Sequence, residues 1–100
     1  MSKEPARGGS GRKHALDADA VNRVCDATQA LFGENFRLAR IRARLTQSDI
    51  EIHTGIKQAY ISQIEGGKLN ATLATMTVLA LAVGKDVRGL LKPLPPSGKR

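Results

Sequence analysis

Cysteine occurs once, at Cys25, so no disulfide can form within the chain, and a reducing cytoplasm is the expected setting. Tryptophan is missing and the aromatics are only Phe32, Phe36 and Tyr60, so a core must be assembled mainly from Leu, Ile, Val and Ala. A core of that kind in 100 residues is thin, favours helices, and gains from a second subunit. No apolar run approaches the roughly 18 residues of a membrane span, and the N-terminus has no apolar signal core. The only histidines, His14 and His53, lie on separate segments. With no acidic cluster, no Cys/His ligand spacing and no phosphate-cradling glycine loop, no metal, cofactor or catalytic centre is expected.

What the chain does have is basic charge, +7 in all, concentrated at its two ends. Residues 1–14 carry +3 and residues 92–100 another +3, whereas residues 15–91 hold nine basic and eight acidic side chains. An anion-binding surface on the folded part must therefore come from the arrangement of its charges. The Gly, Ser and Lys/Arg-rich start reads as a flexible basic arm over 1–14, and "KPLPPSGKR" as a disordered tail over 92–100. Such ends serve either solubility or loose contact with a polyanion.

Between the ends the periodicity is helical. Leu16, Ala20, Val24, Ala27 and Leu31 recur on one face, predicting a helix within 15–31 capped by Asp17 or Asp19. "GENFRLARIRARL" continues in the same period, with Gly33 either separating two helices or lying inside one. Thr46 and Asp49 have the spacing of a capping box for a short helix from Gln47 that Gly55 ends. A tight turn later a second short helix runs from Gln58 to Glu65 and stops at Gly66-Gly67. Thr72 caps "LATMTVLALAV", Gly84 stops it, and Asp86 caps a last short helix through Leu91, with Pro93, Pro95 and Pro96 beyond.

Residues 32–91 resemble the Cro/C1-type, or XRE, helix-turn-helix family of phage and bacterial regulators. The likeness is carried in order by "FGENFRLAR", "LTQSDI", "GIKQAYISQIEGGK", "NATLATMTVLALAVG" and "DVRGLL". It implies an all-α, five-helix lambda-repressor-like domain with the 15–31 segment as an additional N-terminal helix. It also implies a cytoplasmic, nucleoid-associated regulator of double-stranded DNA, acting as a homodimer on a palindromic operator. A helix fits the major groove, where amides and hydroxyls can distinguish base edges. The resemblance assigns base contact to Gln58, Ala59, Ser62 and Gln63, while Ile61 and Ile64 face inward. Phosphate contact falls to Gln47, Arg44, Lys57, Lys68 and Asn70, with Gln47 also bracing Gln58. Arg40 and Glu65 are implied to form a structural ion pair, and Leu90 and Leu91 a dimer contact.

Several residues depart from the family pattern. Glu51 stands where Ala is usual and must reach solvent or bond near Tyr60 or the turn amides. Arg44 replaces a common glycine, which predicts a left-handed backbone there. Val78 and Leu81 make the 73–83 helix apolar nearly all round, to be covered by residues 17–31 or by a second subunit, the first being preferred for Val78. A self-cleaving Ser/Lys domain is not expected. "TQSDI", "GIKQAYIS" and "NATLAT" are also similar to HipB-type antitoxins, so a protein that grips a toxin as well as its own operator is the alternative.

Overall fold

The computed structural model describes residues 16–94. The basic arm over 1–14 and residues 95–100 of the tail fall outside the described residues.

One helix, α1, runs from Ala18 to Arg42 without a break. The Asp17 carboxylate accepts from the Asp19 amide and starts it. The separate helices considered on either side of Gly33 are thus one, and this glycine has another purpose. A Cβ there would lie 2.1 Å from the Ile64 carbonyl oxygen and 3.0 Å from that of Glu65. Gly33 is where α1 and α3 meet backbone to backbone, so its lack of a side chain sets how closely the two helices approach.

The remaining elements are α2, Gln47–Thr54; α3, Gln58–Glu65; α4, Leu73–Ala82; and a 3₁₀ turn, Val87–Leu91. The expected five helices plus one therefore become four α-helices and a 3₁₀ turn among the described residues, because the first two are fused and the last winds with the tighter bonding in which the Gly89 amide donates to the Asp86 carbonyl. Thr46 and Asp49 form a reciprocal capping box, and Thr72 accepts from the Thr75 amide to open α4.

Three helices end in the same way. After α3 the Lys68 amide donates to the Gln63 carbonyl and Gly67 to Ile64; after α4, Lys85 donates to Ala80 and Gly84 to Leu81. After α1, Leu45 donates to Arg40 and Arg44 to Ile41, the same paired Schellman bonds. The left-handed position is Gly67 in one, Gly84 in another and Arg44, at φ 62°, in the third.

The core joins Phe32, Phe36 and Ala39 of α1, Ile50 of α2, Ile61 and Ile64 of α3, Leu79 and Ala80 of α4, Val83 and Leu90. Phe32 and Phe36 stack with centroids 6.2 Å apart. Asn35 Nδ2 donates to the carbonyls of Leu90, at 2.9 Å, and Lys92, at 2.8 Å, pinning the 3₁₀ turn to α1.

Two expectations are corrected here. Leu90, assigned to a dimer contact, is only 4% exposed and belongs to the protomer's own core. Leu91 is half-buried against that core. Val78 is not covered by residues 17–31: it stays 42% exposed, with Leu73 and Leu81 of the same helix at 67% and 68%. The first turns of α1 do not reach α4's outer face, because α1 packs chiefly on α3 and on the 3₁₀ turn. An open groove lined by Val24, Thr28, Phe32, Leu69 and Met76 lies between them. Leu16 and Val24 are themselves solvent-exposed.

Candidate nucleic-acid interface

The α3 helix divides cleanly. Ile61 and Ile64 are buried, Tyr60 is half-buried, and Gln58, Ala59, Ser62 and Gln63 are exposed. Eight residues make barely two turns, too short to be stable alone, so this helix depends on its anchors. Ile61 and Ile64 fix one side to the core, and the Glu65 carboxylate fixes the end.

That carboxylate is the centre of a small polar cluster. Arg40 Nε donates to Glu65 Oε2 at 2.6 Å and Arg40 Nη2 to Glu65 Oε1 at 3.0 Å, a bidentate pair. Arg40 Nη1 reaches the Leu45 carbonyl at 2.8 Å, and Gln47 Nε2 donates to Glu65 Oε1 at 3.1 Å. Both partners are largely withdrawn from solvent, Arg40 at 13% and Glu65 at 5% side-chain exposure. One cluster therefore ties α1, the α1–α2 connection, the start of α2 and the end of α3 together, and sets the angle at which α3 is presented.

At the start of α2, the Asp49 amide is taken by Thr46 Oγ1 and the Ile50 amide by the Thr46 carbonyl. The Gln47 and Ser48 amides have no protein partner among the described residues, so two N–H groups face outward at a helix N-terminus. Hydrogen bonds from the Thr46 amide and hydroxyl hold the Asp49 carboxyl below the usual carboxylate range. Arg44, Lys57, Lys68 and Asn70 are all exposed, while Gln47 is half-buried with its amide turned to Glu65.

A profile of the helix-turn-helix domain matches residues 31–89. The chain is 38% identical over 63 residues to an uncharacterized HTH-type transcriptional regulator, y4dJ, of Sinorhizobium fredii, covering 63% of this chain and 82% of that one. This chain belongs to the helix-turn-helix family of transcriptional regulators. Two crystal structures share its fold. A hypothetical transcription factor, NHTF, from Neisseria superposes with a TM-score of 0.63 at 27% identity, covering 66% of this chain and 76% of that one. The restriction-modification controller protein C.AhdI from Aeromonas hydrophila gives 0.61 at 28%, covering 64% of this chain and 97% of that one.

Of two contacts in this helix-turn-helix regulator, the one made by Ser48 is not foreseen from its sequence, and the one made by Glu51 falls among the turn amides, one of the outcomes expected for it. The expected brace from Gln47 to Gln58 is absent, because the Gln47 amide is occupied by Glu65. Ser48 takes that place: its hydroxyl donates to Gln58 Oε1 at 3.0 Å. Glu51, the anomaly of the motif, accepts from the Gln58 amide through Oε1 at 2.9 Å, and Lys57 Nζ lies 3.9 Å from its other oxygen. The residue preceding α3, Lys57, supplies no side-chain cap of its own, so Glu51 caps α3 from α2. Nothing in the linear spacing marks Ser48. Glu51 was conspicuous by its charge at a close-packed position.

Among the described residues no cluster of His, Cys, Asp or Glu could hold a metal ion, and no helix is long and apolar enough to cross a membrane.

Proposed function

We propose that this DNA-binding regulator is a repressor that binds a palindromic operator as a homodimer, one α3 helix to each half-site. One observation carries the reading: Gln58, Ala59, Ser62 and Gln63 are exposed on one side of a helix held on its other side by Ile61, Ile64 and the Arg40–Glu65 pair. Gln58 in the first turn can pair with adenine N6 and N7, Ala59 can meet a thymine methyl, and Ser62 and Gln63 extend the polar reach. The outward amides of Gln47 and Ser48, with Arg44, Lys57, Lys68 and Asn70, are suited to the flanking phosphates. Arg44, Lys57 and Lys68 in each of two subunits neutralise about six phosphates and give a slope of log affinity against log salt of roughly −5.

The homodimer is proposed to form through the uncovered face of α4, not through Leu90. Leu73, Ala74, Val78 and Leu81 share that face, and α4 packs on α2 and on the 3₁₀ turn, away from the reading side of α3. Two copies related by a two-fold axis would present their α3 helices about one helical turn, ~34 Å, apart. Occlusion of a promoter then follows from occupancy.

The test is selection of bound fragments from a random duplex pool at stated salt. The proposal expects an inverted repeat of that spacing and a dimer in solution. A single asymmetric site bound by a monomer rules out the dimeric reading. Co-purification of a larger protein in stoichiometric amount would favour the antitoxin alternative. Replacing Gln58 by Ala should cost about 1–3 kcal/mol on the selected site and little on random DNA.

A further inference from the structure

We infer that Ser48 is a specificity-determining positioning residue, which holds the Gln58 side chain in its reading orientation before DNA arrives; this rests on the base-reading role proposed for Gln58. Gln58 is exposed and begins its helix, so an untethered side chain there would sample many rotamers. It is instead fastened at both ends. Its backbone amide donates to Glu51 Oε1 at 2.9 Å, and its side-chain carbonyl accepts from the Ser48 hydroxyl at 3.0 Å.

The two partners come from one surface. Ser48 and Glu51 are three residues apart on α2, and so lie on the same face of that helix. α2 is in turn secured to the protein by the Gln47–Glu65 bond and by buried Ile50. The clamp is thus mounted on a fixed element.

The clamp does not exhaust what Gln58 can do. An amide carbonyl has two lone pairs and the amide nitrogen two hydrogens. Ser48 engages one lone pair, which leaves the second and both N–H donors for the acceptor-and-donor edge of adenine. What Ser48 removes is rotation, so the ordering of one long side chain is completed in the free protein and no longer opposes binding. Gln47, at the neighbouring position, does not do this, because its side chain is turned to Glu65.

Three variants and the wild type test the inference: Ser48→Ala, Gln58→Ala and the double variant. Each is titrated with the operator fragment recovered by selection and with a random-sequence duplex of equal length. Ser48→Ala removes only the hydroxyl and keeps the backbone amide proposed to meet phosphate, so it is expected to raise Kd for the operator by about 2- to 10-fold, to leave the random duplex unchanged, and to broaden the base preference at the position read by Gln58. On the Gln58→Ala background it should add nothing, and Ser48→Thr, which keeps the hydroxyl, should restore the wild-type preference. Equal losses on both duplexes that persist with Gln58→Ala would mean that Ser48 touches phosphate directly, and would overturn the inference.

A second readout needs no DNA. The order parameter of the Gln58 side-chain amide, measured by NMR on the free protein, is expected to fall in Ser48→Ala; an unchanged value overturns the clamp. If Gln58→Ala costs nothing on the operator, the base-reading role itself fails and the specificity claim falls with it. A drop in amide order in Ser48→Ala would distinguish that failure from failure of the clamp.

Discussion

Helices α3 and α4 are near neighbours in chain and similar in length, yet they expose opposite chemistries. α3 turns two isoleucines inward and shows water an alanine, a serine and two glutamines; its only charge, Glu65, is consumed by Arg40 and Gln47. α4 buries Leu79 and Ala80 but shows water Leu73, Ala74, Val78 and Leu81, with no charged residue in ten positions. A surface of hydroxyls and amides is matched to the edge of a base pair. An uncharged aliphatic face is matched to protein, and above all to a copy of itself, because symmetry then sets no like charges against each other. The difference teaches that a domain this small keeps its polar and its apolar exposed surfaces on separate helices, as the proposed division between DNA and a second copy requires.

Breaking the inward side of α3 should have the largest effect. Ile64→Ala removes a side chain that is almost wholly buried, and is expected to cost about 2–5 kcal/mol of stability by chemical denaturation. A cost near zero would mean that α3 is held by its polar contacts alone. Gly33→Ala attacks the same helix from α1. With the Ile64 and Glu65 carbonyls in its path, the added methyl must displace α3, at about 1–3 kcal/mol. Operator binding should fall beyond the loss explained by unfolding, because the presentation angle changes as well.

Why the sequence disclosed some of this and not the rest can be read from particular residues. Caps act over three or four positions, so Thr46 with Asp49, Thr72 and the glycines at 55, 67 and 84 were visible in the chain and recur in the structure. Gly33 could be read as punctuation or as part of one helix, because its actual constraint, the backbone of α3, is some thirty residues away. Leu90 was misassigned because a leucine near a C-terminus looks the same whether it packs inward or outward; the Asn35 bonds that draw its turn onto α1 are long-range. The exchange of partners between Gln47 and Ser48 was likewise hidden, since two adjacent polar residues at a helix start differ only in direction, which tertiary packing decides.

The end of α1, beside the start of α2, also differs from the end of α4. Arg44 and Gly84 occupy the same left-handed position of the same motif, at φ 62° and 74°. An L-residue in that conformation costs about 1–2 kcal/mol, which glycine avoids. Arg44→Gly is therefore expected to raise stability by about 1 kcal/mol while lowering the salt slope of DNA binding by about 2, one contact being lost from each of two subunits. Arg44→Ala, which loses the charge but keeps the strain, should lower the slope equally and gain no stability. An unchanged slope in both would remove Arg44 from the phosphate contacts and leave its strain without a functional reason.

The smallest effect on the folded protomer is expected where α4 is uncovered, and it is the most informative about assembly. Leu81 contributes little to the protomer's own core, so Leu81→Lys should leave the isolated fold within about 0.5 kcal/mol of wild type. In a two-fold dimer built on α4 the same change sets two ammonium groups close together on an apolar surface, which should dissociate the pair. Sedimentation would then report a protomer mass, and operator affinity would drop towards that of a single half-site with Gln58 and its neighbours intact. A dimer that survives the substitution with unchanged affinity would place the interface elsewhere. The exposed apolar stripe of α1 around Val24 would then be the next face to substitute, because among the described residues it too lacks cover.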